Sequence, residues 1–232
     1  MSKLILVTGG QGRFTKILKK ESTLNLKFLS KKDLNILNLK SIEKAIIKYN
    51  PSILFHCAAL SRPMDTHNKN ISKSIDINII GTSNVVKICS KYNLKLIYFS
   101  TGYVYGGIKG NYKETDPVKP FNNYGLSKLG GECAVQMYNN SLILRITMTE
   151  KPFTHKQGYT NLFSNYMFHE DLVKILPKII DQYGIINVGG KTRSIFSFGK
   201  TFNKKLLRIK CNDKNIPLKQ TMNLNKLKKI LR

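Results

Sequence analysis

Acidic residues are scarce in this 232-residue chain: thirteen Asp and Glu stand against thirty-nine Lys and Arg, a formal net charge of +26. Cysteine is sparse too, with Cys57, Cys89, Cys133 and Cys211 far apart in sequence. No Cys-x-x-Cys pair and no Cys/His cluster at metal-ligand spacing occurs. This argues against a metal site or a disulfide framework and for reduced thiols, mostly in the core. No apolar run approaches the ~18 residues of a membrane span. The apolar stretch before Thr8 is also too short for a secretory signal. These absences make the cytoplasm the default compartment. Sixteen glycines and seven prolines are ordinary usage, and with 41% hydrophobic residues they exclude a collagenous, low-complexity or wholly disordered chain. The length suits one α/β domain, or one domain with a small appendage.

Arginine is rare as well. The six arginines are Arg13, Arg62, Arg145, Arg193, Arg208 and Arg232; every other cation is lysine, which is less suited to bidentate phosphate or base contacts. Lysine, asparagine and isoleucine are abundant together, the mark of a nucleotide bias expressed on a solvated surface. Nucleic-acid binding therefore rests on charge alone and is disfavoured, while attraction of anionic small molecules stays open. Residues 200–232 hold nine Lys and two Arg against one Asp and read as a basic tail.

Short apolar runs alternate with amphipathic stretches, the pattern of βαβ units and a parallel sheet. The runs predict strands at 3–8, 24–29, 52–57, 94–100 and 142–147. Helices are predicted at 12–20, 41–49 with Ser41 as N-cap, 72–92 and 123–138. Beyond residue 147 the pattern becomes irregular, with helices at 168–183 and 194–203 around a short strand at 185–188. A soft domain boundary falls near 147.

Thr8-Gly9-Gly10-Gln11-Gly12-Arg13-Phe14-Thr15 follows a strand and opens a helix. Glycines there let the backbone turn tightly and approach a pyrophosphate at the positive helix end, although Thr15 takes the third glycine position. After the second strand, where an NAD enzyme presents an acid to the ribose, the chain reads Leu29-Ser30-Lys31-Lys32-Asp33. Hydroxyl and cation at Ser30 and Lys31 favour NADPH over NADH. Tyr124 and Lys128 are four apart on one helix face. A phenol, with a pKa near ~10, becomes an acid-base group when positive charge stabilises its anion. Ser100 and Thr101 end the fourth strand, where doubly wound sheets place ligands. His56 reads as a core residue and His169 as a structural landmark.

The segments VTGGQG, FHCAAL, IDINIIGT, FSTGYVYGG and YGLSKLGGE, in that order, resemble the extended short-chain dehydrogenase/reductases, within them the dTDP-4-dehydrorhamnose reductase branch. The resemblance covers residues 3 to about 147. It implies a Rossmann-type doubly wound parallel sheet over 1–147. A small, shortened C-terminal substrate lobe over 148–232, partly interleaved with the first domain, would follow. It implies that Thr101 steadies a substrate carbonyl, Tyr124 donates the proton, and Lys128 tunes Tyr124 and holds the nicotinamide ribose. Gly9, Gly10, Gln11, Gly12, Arg13, Phe14, Ser30, Lys31, Ala58, Ala59 and Asn78 would line or brace the cofactor. Ser61, Tyr103, Arg145 and His155 would meet a nucleotide-sugar substrate. Gly102 stands where dehydratases of the superfamily begin an Asp-Glu pair, which favours reduction of a 4-keto-6-deoxy sugar over dehydration. A 4-epimerase and a cofactor-binding regulatory subunit are the alternatives, and a homodimer through helices 72–92 and 123–138 is compatible with either.

Overall fold

The computed structural model describes residues 3–232. Strands β1 (Ile5–Thr8), β2 (Leu26–Phe28), β3 (Ile53–His56), β4 (Lys95–Thr101) and β5 (Ser141–Ile146) and a strand at Gly184–Val188 form a parallel sheet. Their spatial order is β2-β1-β3-β4-β5, then Gly184–Val188. The chain turns back on its order between β1 and β3, so the crevice for a ligand opens above their C-terminal ends. Gly184–Val188 lies beyond residue 147 yet pairs in register with β5, so the latter part of the chain is woven into the sheet.

Both faces of the sheet are covered. Val7, Phe55, Phe99 and Leu144 meet α1 (Arg13–Glu21) and α7 (His169–Ile179) through Phe14, Leu18, Leu172 and Leu176. On the opposite face Leu6, Leu54, Leu96 and Ile143 meet α2 (Leu39–Tyr49), α5 (Gly81–Lys91) and α6 (Asn123–Gln136) through Ile42, Val85 and Val135. Burial on two sides is why the strands read as near-continuous apolar runs. Asn38, rather than Ser41, caps α2: its side chain accepts from the Ser41 amide, and Ser41 Oγ accepts from the Asn35 amide. After the short helix α3 (Thr66–Lys69), the helix expected over 72–92 is α4 (Ile71–Ile75) and α5, joined by a π-helical turn at Asp76–Ile80. None of the helices among the described residues is long and apolar enough to cross a membrane.

The basic C-terminal stretch is folded structure. Leu207–Ile209 pairs with Gln157–Tyr159, and Lys219–Gln220 pairs with Phe163–Ser164. Met222 and Leu227 are buried, the second in the main core. Phe153, Phe168, Phe198 and Leu206 form a small core under the lobe. The lysines ride on the outside of these elements.

Arg145, expected at the substrate, is turned into the protein. Its Nη2 and Nε donate to Glu132 Oε1 at 2.6 and 3.0 Å, and both side chains are almost wholly buried. Ser100 Oγ donates to Glu132 Oε2 at 2.6 Å. Arg145 Nη1 donates to the Tyr105 hydroxyl at 2.7 Å, which lies 2.9 Å from Asn187 Oδ1. Asn187 in turn donates to the carbonyls of Tyr112 and Asn223. Glu132 on α6 lies above β5, where its carboxylate meets the guanidinium through two charge-assisted hydrogen bonds and takes it away from the cleft.

Breaking a buried ion pair leaves one charge unpaired, at a cost of about 3–5 kcal/mol, whereas apolar replacement of both partners costs far less. Urea unfolding is therefore expected to show a loss of that size for Arg145→Ala and partial recovery in Glu132→Leu/Arg145→Met.

Candidate functional site

The glycine turn is shaped for close approach. Gly9 adopts φ 67°, and a Cβ there would stand 2.8 Å from Ala58 Cα. The Gly12 amide donates to Gly9 O at 2.9 Å. Thr15, at the third glycine position, is buried, with Oγ1 2.9 Å from Gly9 O and 3.0 Å from Gly12 O. Its hydroxyl thus closes the turn from within. No acidic residue occupies the first turn of α1, so the positive end of that helix is open to an anion.

Two cavities flank this turn. One, of about 600 Å³, is lined by Gly9, Gln11, Ser30, Lys31, Ala58 and the segment Asn35–Leu37. The other, of about 280 Å³, is lined by Arg13, Phe14, Ser61, Thr101, Tyr103, Tyr124 and Lys128. Gly12, Cys57 and Ala59 belong to both. They form one trough bent over the point where strand order reverses, with a glycine cradle at the bend. This fits an extended dinucleotide.

Burial pushes the Tyr124 phenol up to about 12, opposed by a hydrogen bond from Thr101 and by the charges of Arg62 and Arg13. Tyr103 lies edge-on to Tyr124, with ring centroids 6.1 Å apart. Burial brings the Lys128 ammonium down to about 7, against the pull of Glu132. Its Nζ lies 4.0 Å from the centroid of Tyr98, so Lys128, on the cavity wall, rests on an aromatic face. The charges that act on Tyr124 are the two arginines.

A family model for the RmlD substrate binding domain matches residues 2–184. The chain belongs to this family, the group of dTDP-4-dehydrorhamnose reductase-like proteins. Methionine adenosyltransferase 2 subunit beta of Pongo abelii is 31% identical over 159 residues, 62% of this chain and 46% of its own. dTDP-4-dehydrorhamnose reductase of Aggregatibacter actinomycetemcomitans is 29% identical over 151 residues, 62% of this chain and 51% of its own. The matched region spans about half the length of these curated relatives. The crystal structure of dTDP-4-dehydrorhamnose reductase from Bacillus anthracis in complex with NADP superposes with a TM-score of 0.87 at 24% identity. It covers 98% of this chain and 91% of that one. The fold is therefore of the Rossmann type seen in these reductases.

Within this family frame, some expected residues support the trough without lining it. Gly10 packs against Leu29, whose carbonyl accepts from the Gly10 amide at 2.8 Å. Asn78 lies in the π-helical turn and is buried. Its Oδ1 accepts from the Leu60 amide at 2.8 Å, and its Nδ2 donates toward Leu60 O and Ser127 Oγ at 2.9 Å each. It thus clips the loop after β3 to α6, which carries Tyr124. His56 is satisfied on both ring nitrogens. Thr82 donates to Asn78 O, so His56 Nε2 donates to Thr82 and Nδ1 accepts from Thr8. Burial holds this imidazole neutral, down to about 3.

Two expected substrate contacts lie elsewhere. Arg145 is in the ion pair described above, and exposed His155 lies tilted against Phe153 in the lobe, with ring centroids 5.0 Å apart, lining neither cavity. Ser30 reaches the trough, but its hydroxyl and amide both bond the Asp33 carboxylate, at 2.6 and 3.0 Å. That holds Asp33 below the usual carboxylate range. Gly102 is fixed by packing: a Cβ would stand 2.7 Å from Thr147 Oγ1 and 3.2 Å from Met222 Sδ. The structure adds Lys73 and Asp76 to the larger cavity and Arg62, Glu150, Tyr166 and His169 to the smaller. Arg62 was legible as an arginine against a lysine background, four residues after Ala58. Glu150 and Tyr166 carried no sequence signal.

Lys128 supplies a pH test. Its folded value of about 7 lies below the ordinary 10.5, so the unfolded chain binds the extra proton between these limits and stability rises with pH across the window. Thermal melts of the ligand-free protein should show wild type gaining on Lys128→Met from pH 7 to pH 9. A gap independent of pH would contradict the buried, depressed ammonium.

Proposed function

We propose that the chain is an NADPH-dependent reductase of the C4 keto group of a nucleotide-linked 4-keto-6-deoxy sugar. The observation that carries this reading is the convergence of Thr101, Tyr124 and Lys128 on the cavity that shares Gly12, Cys57 and Ala59 with the glycine-cradled half of the trough. NADP in the Bacillus anthracis reductase supports a nicotinamide cofactor, and Lys31 with Lys73 at the larger cavity favours the 2′-phosphate form.

The turn from Gly9 to Gly12 and the amides of α1 would hold the cofactor's pyrophosphate, and Ala58 and Ala59 its neighbouring atoms. When bound, a reduced nicotinamide supplies hydride to the carbonyl carbon. Tyr124 keeps its proton at neutral pH, because burial holds the phenol near 12. It gives the proton from Oη as negative charge builds on the carbonyl oxygen. Thr101, on the same cavity wall as Tyr124, orients that oxygen beside the phenol. Arg13 and Arg62 stabilise the phenolate left behind. Lys128, one turn along α6, stands ready to meet the nicotinamide ribose. Met64 and Phe99 on the walls limit water around the reacting atoms.

A second reading has its own support: a cofactor-binding subunit without turnover. Methionine adenosyltransferase 2 subunit beta is among the relatives, and Lys128 rests on Tyr98 rather than acting on Tyr124.

Steady-state assays of a 4-keto-6-deoxy nucleotide sugar with NADPH separate the two. Tyr124→Phe is expected to lower kcat by about 10²- to 10⁴-fold while leaving the Kd for NADPH within about twofold of wild type. Wild-type protein that binds NADPH but consumes none on a panel of such sugars would establish the subunit reading instead.

A further inference from the structure

Arg13 and Arg62 are two of six arginines in a chain whose cations are otherwise lysine, and both line the smaller cavity. They come from separate elements, Arg13 from the first residue of α1 and Arg62 from the loop after β3. Arg13 Nη1 lies 3.1 Å from Glu150 Oε1, and Arg62 Nη1 lies 4.0 Å from Glu150 Oε2. One carboxylate therefore sits between two guanidiniums. The three side chains are 38% to 47% exposed, a setting in which an ion pair contributes little and is readily exchanged. Two guanidiniums face one carboxylate on this lining, so it carries a positive excess whether or not Lys128 holds its proton. Arg13 stands at the helix end where a cation is disfavoured and an anion favoured. Its place there makes electrostatic sense when an anion of higher charge than one carboxylate joins it.

We propose that Arg13 and Arg62 form a two-guanidinium clamp for a diphosphate, and that Glu150 occupies the clamp until the diphosphate displaces it. Each guanidinium offers a planar fork of donors that matches phosphate oxygens, which lysine does not. A diphosphate brings enough oxygens for both forks and more negative charge than Glu150. Displaced, Glu150 turns to solvent, and the two cations stay beside Tyr124. The inference rests on the reductase reading for its candidate ligands, since the cofactor and a nucleotide sugar each carry a diphosphate.

Isothermal titration with inorganic pyrophosphate, with NADP⁺, and with dTDP in the presence of saturating NADP⁺ tests the clamp and distinguishes its sources. Arg62→Ala should weaken binding by about ten- to a hundredfold, the range for a lost charge-assisted contact, with Arg62→Lys in between. Glu150→Gln, a conservative change at a half-exposed position, should strengthen it severalfold by removing the internal competitor. Loss confined to NADP⁺ assigns the clamp to the cofactor; loss confined to dTDP assigns it to the second ligand. Unchanged affinity for all three ligands in both Arg62→Ala and Glu150→Gln overturns the proposal, as does failure of all three to bind wild type. These readouts do not depend on turnover, so a result against the reductase reading leaves them intact.

Discussion

The buried pairing of Glu132 with Arg145 is the constraint on which the end of the sheet beside Tyr124 depends. It joins α6 to β5, and through Ser100 it reaches the residue before Thr101 on β4. Through Tyr105 and Asn187 it reaches the Gly184–Val188 strand and the C-terminal segment at Asn223. A carboxylate and a guanidinium in an apolar setting tolerate few arrangements, because each unmet hydrogen bond is costly there. The pair therefore fixes the height of α6 over β4, and with it the separation of Tyr124 from Thr101. An apolar replacement of equal volume could hold the layers together while losing that register.

Polar groups around the bend of the trough are held in the protonation states that cost least without a ligand. His56 is neutral between two threonines, Tyr124 keeps its proton, and Lys128 has lost much of its hold on a charge. Desolvation is the first cause in each case. The arginines alone keep their charge at any accessible pH, and they stand at the edge of the smaller cavity where water still reaches them. Positive potential in the trough is thus carried by the exposed rim and the helix end, while the depth stays close to neutral.

Much of this was legible in the chain. The central strands β1, β3, β4 and β5 are apolar runs of the right length, and the glycine turn and Tyr124 with Lys128 have spacings that only a few backbones use. The failures have separate causes. Arg145 interrupts an apolar strand, and a sequence does not say whether such a residue faces a ligand or a partner; Glu132, thirteen positions earlier, gave no sign of being that partner. His155 sits in an irregular segment where spacing has no period to read. The basic stretch after residue 200 looked like a tail because lysines dominate it, although Leu206, Met222 and Leu227 were already the buried positions. Ser41 is a good capping residue, but Asn38 lay three residues nearer the true start of its helix.

The Met222 side chain lies against Gly102, directly after Thr101, and Leu227 belongs to the core beneath α7. That placement sets an order of events during synthesis. Domains fold as units, and β1 and β2 share their sheet and core with β5, α7 and the Gly184–Val188 strand, so they do not settle without the later chain. The floor beneath Thr101 stays unfinished until residues near 222 have emerged more than a hundred positions later. A nascent chain that has not reached Met222 therefore lacks both the wall beside Gly102 and the Leu227 contact under α7, and the cleft above Thr101 takes its shape only once that segment is in place.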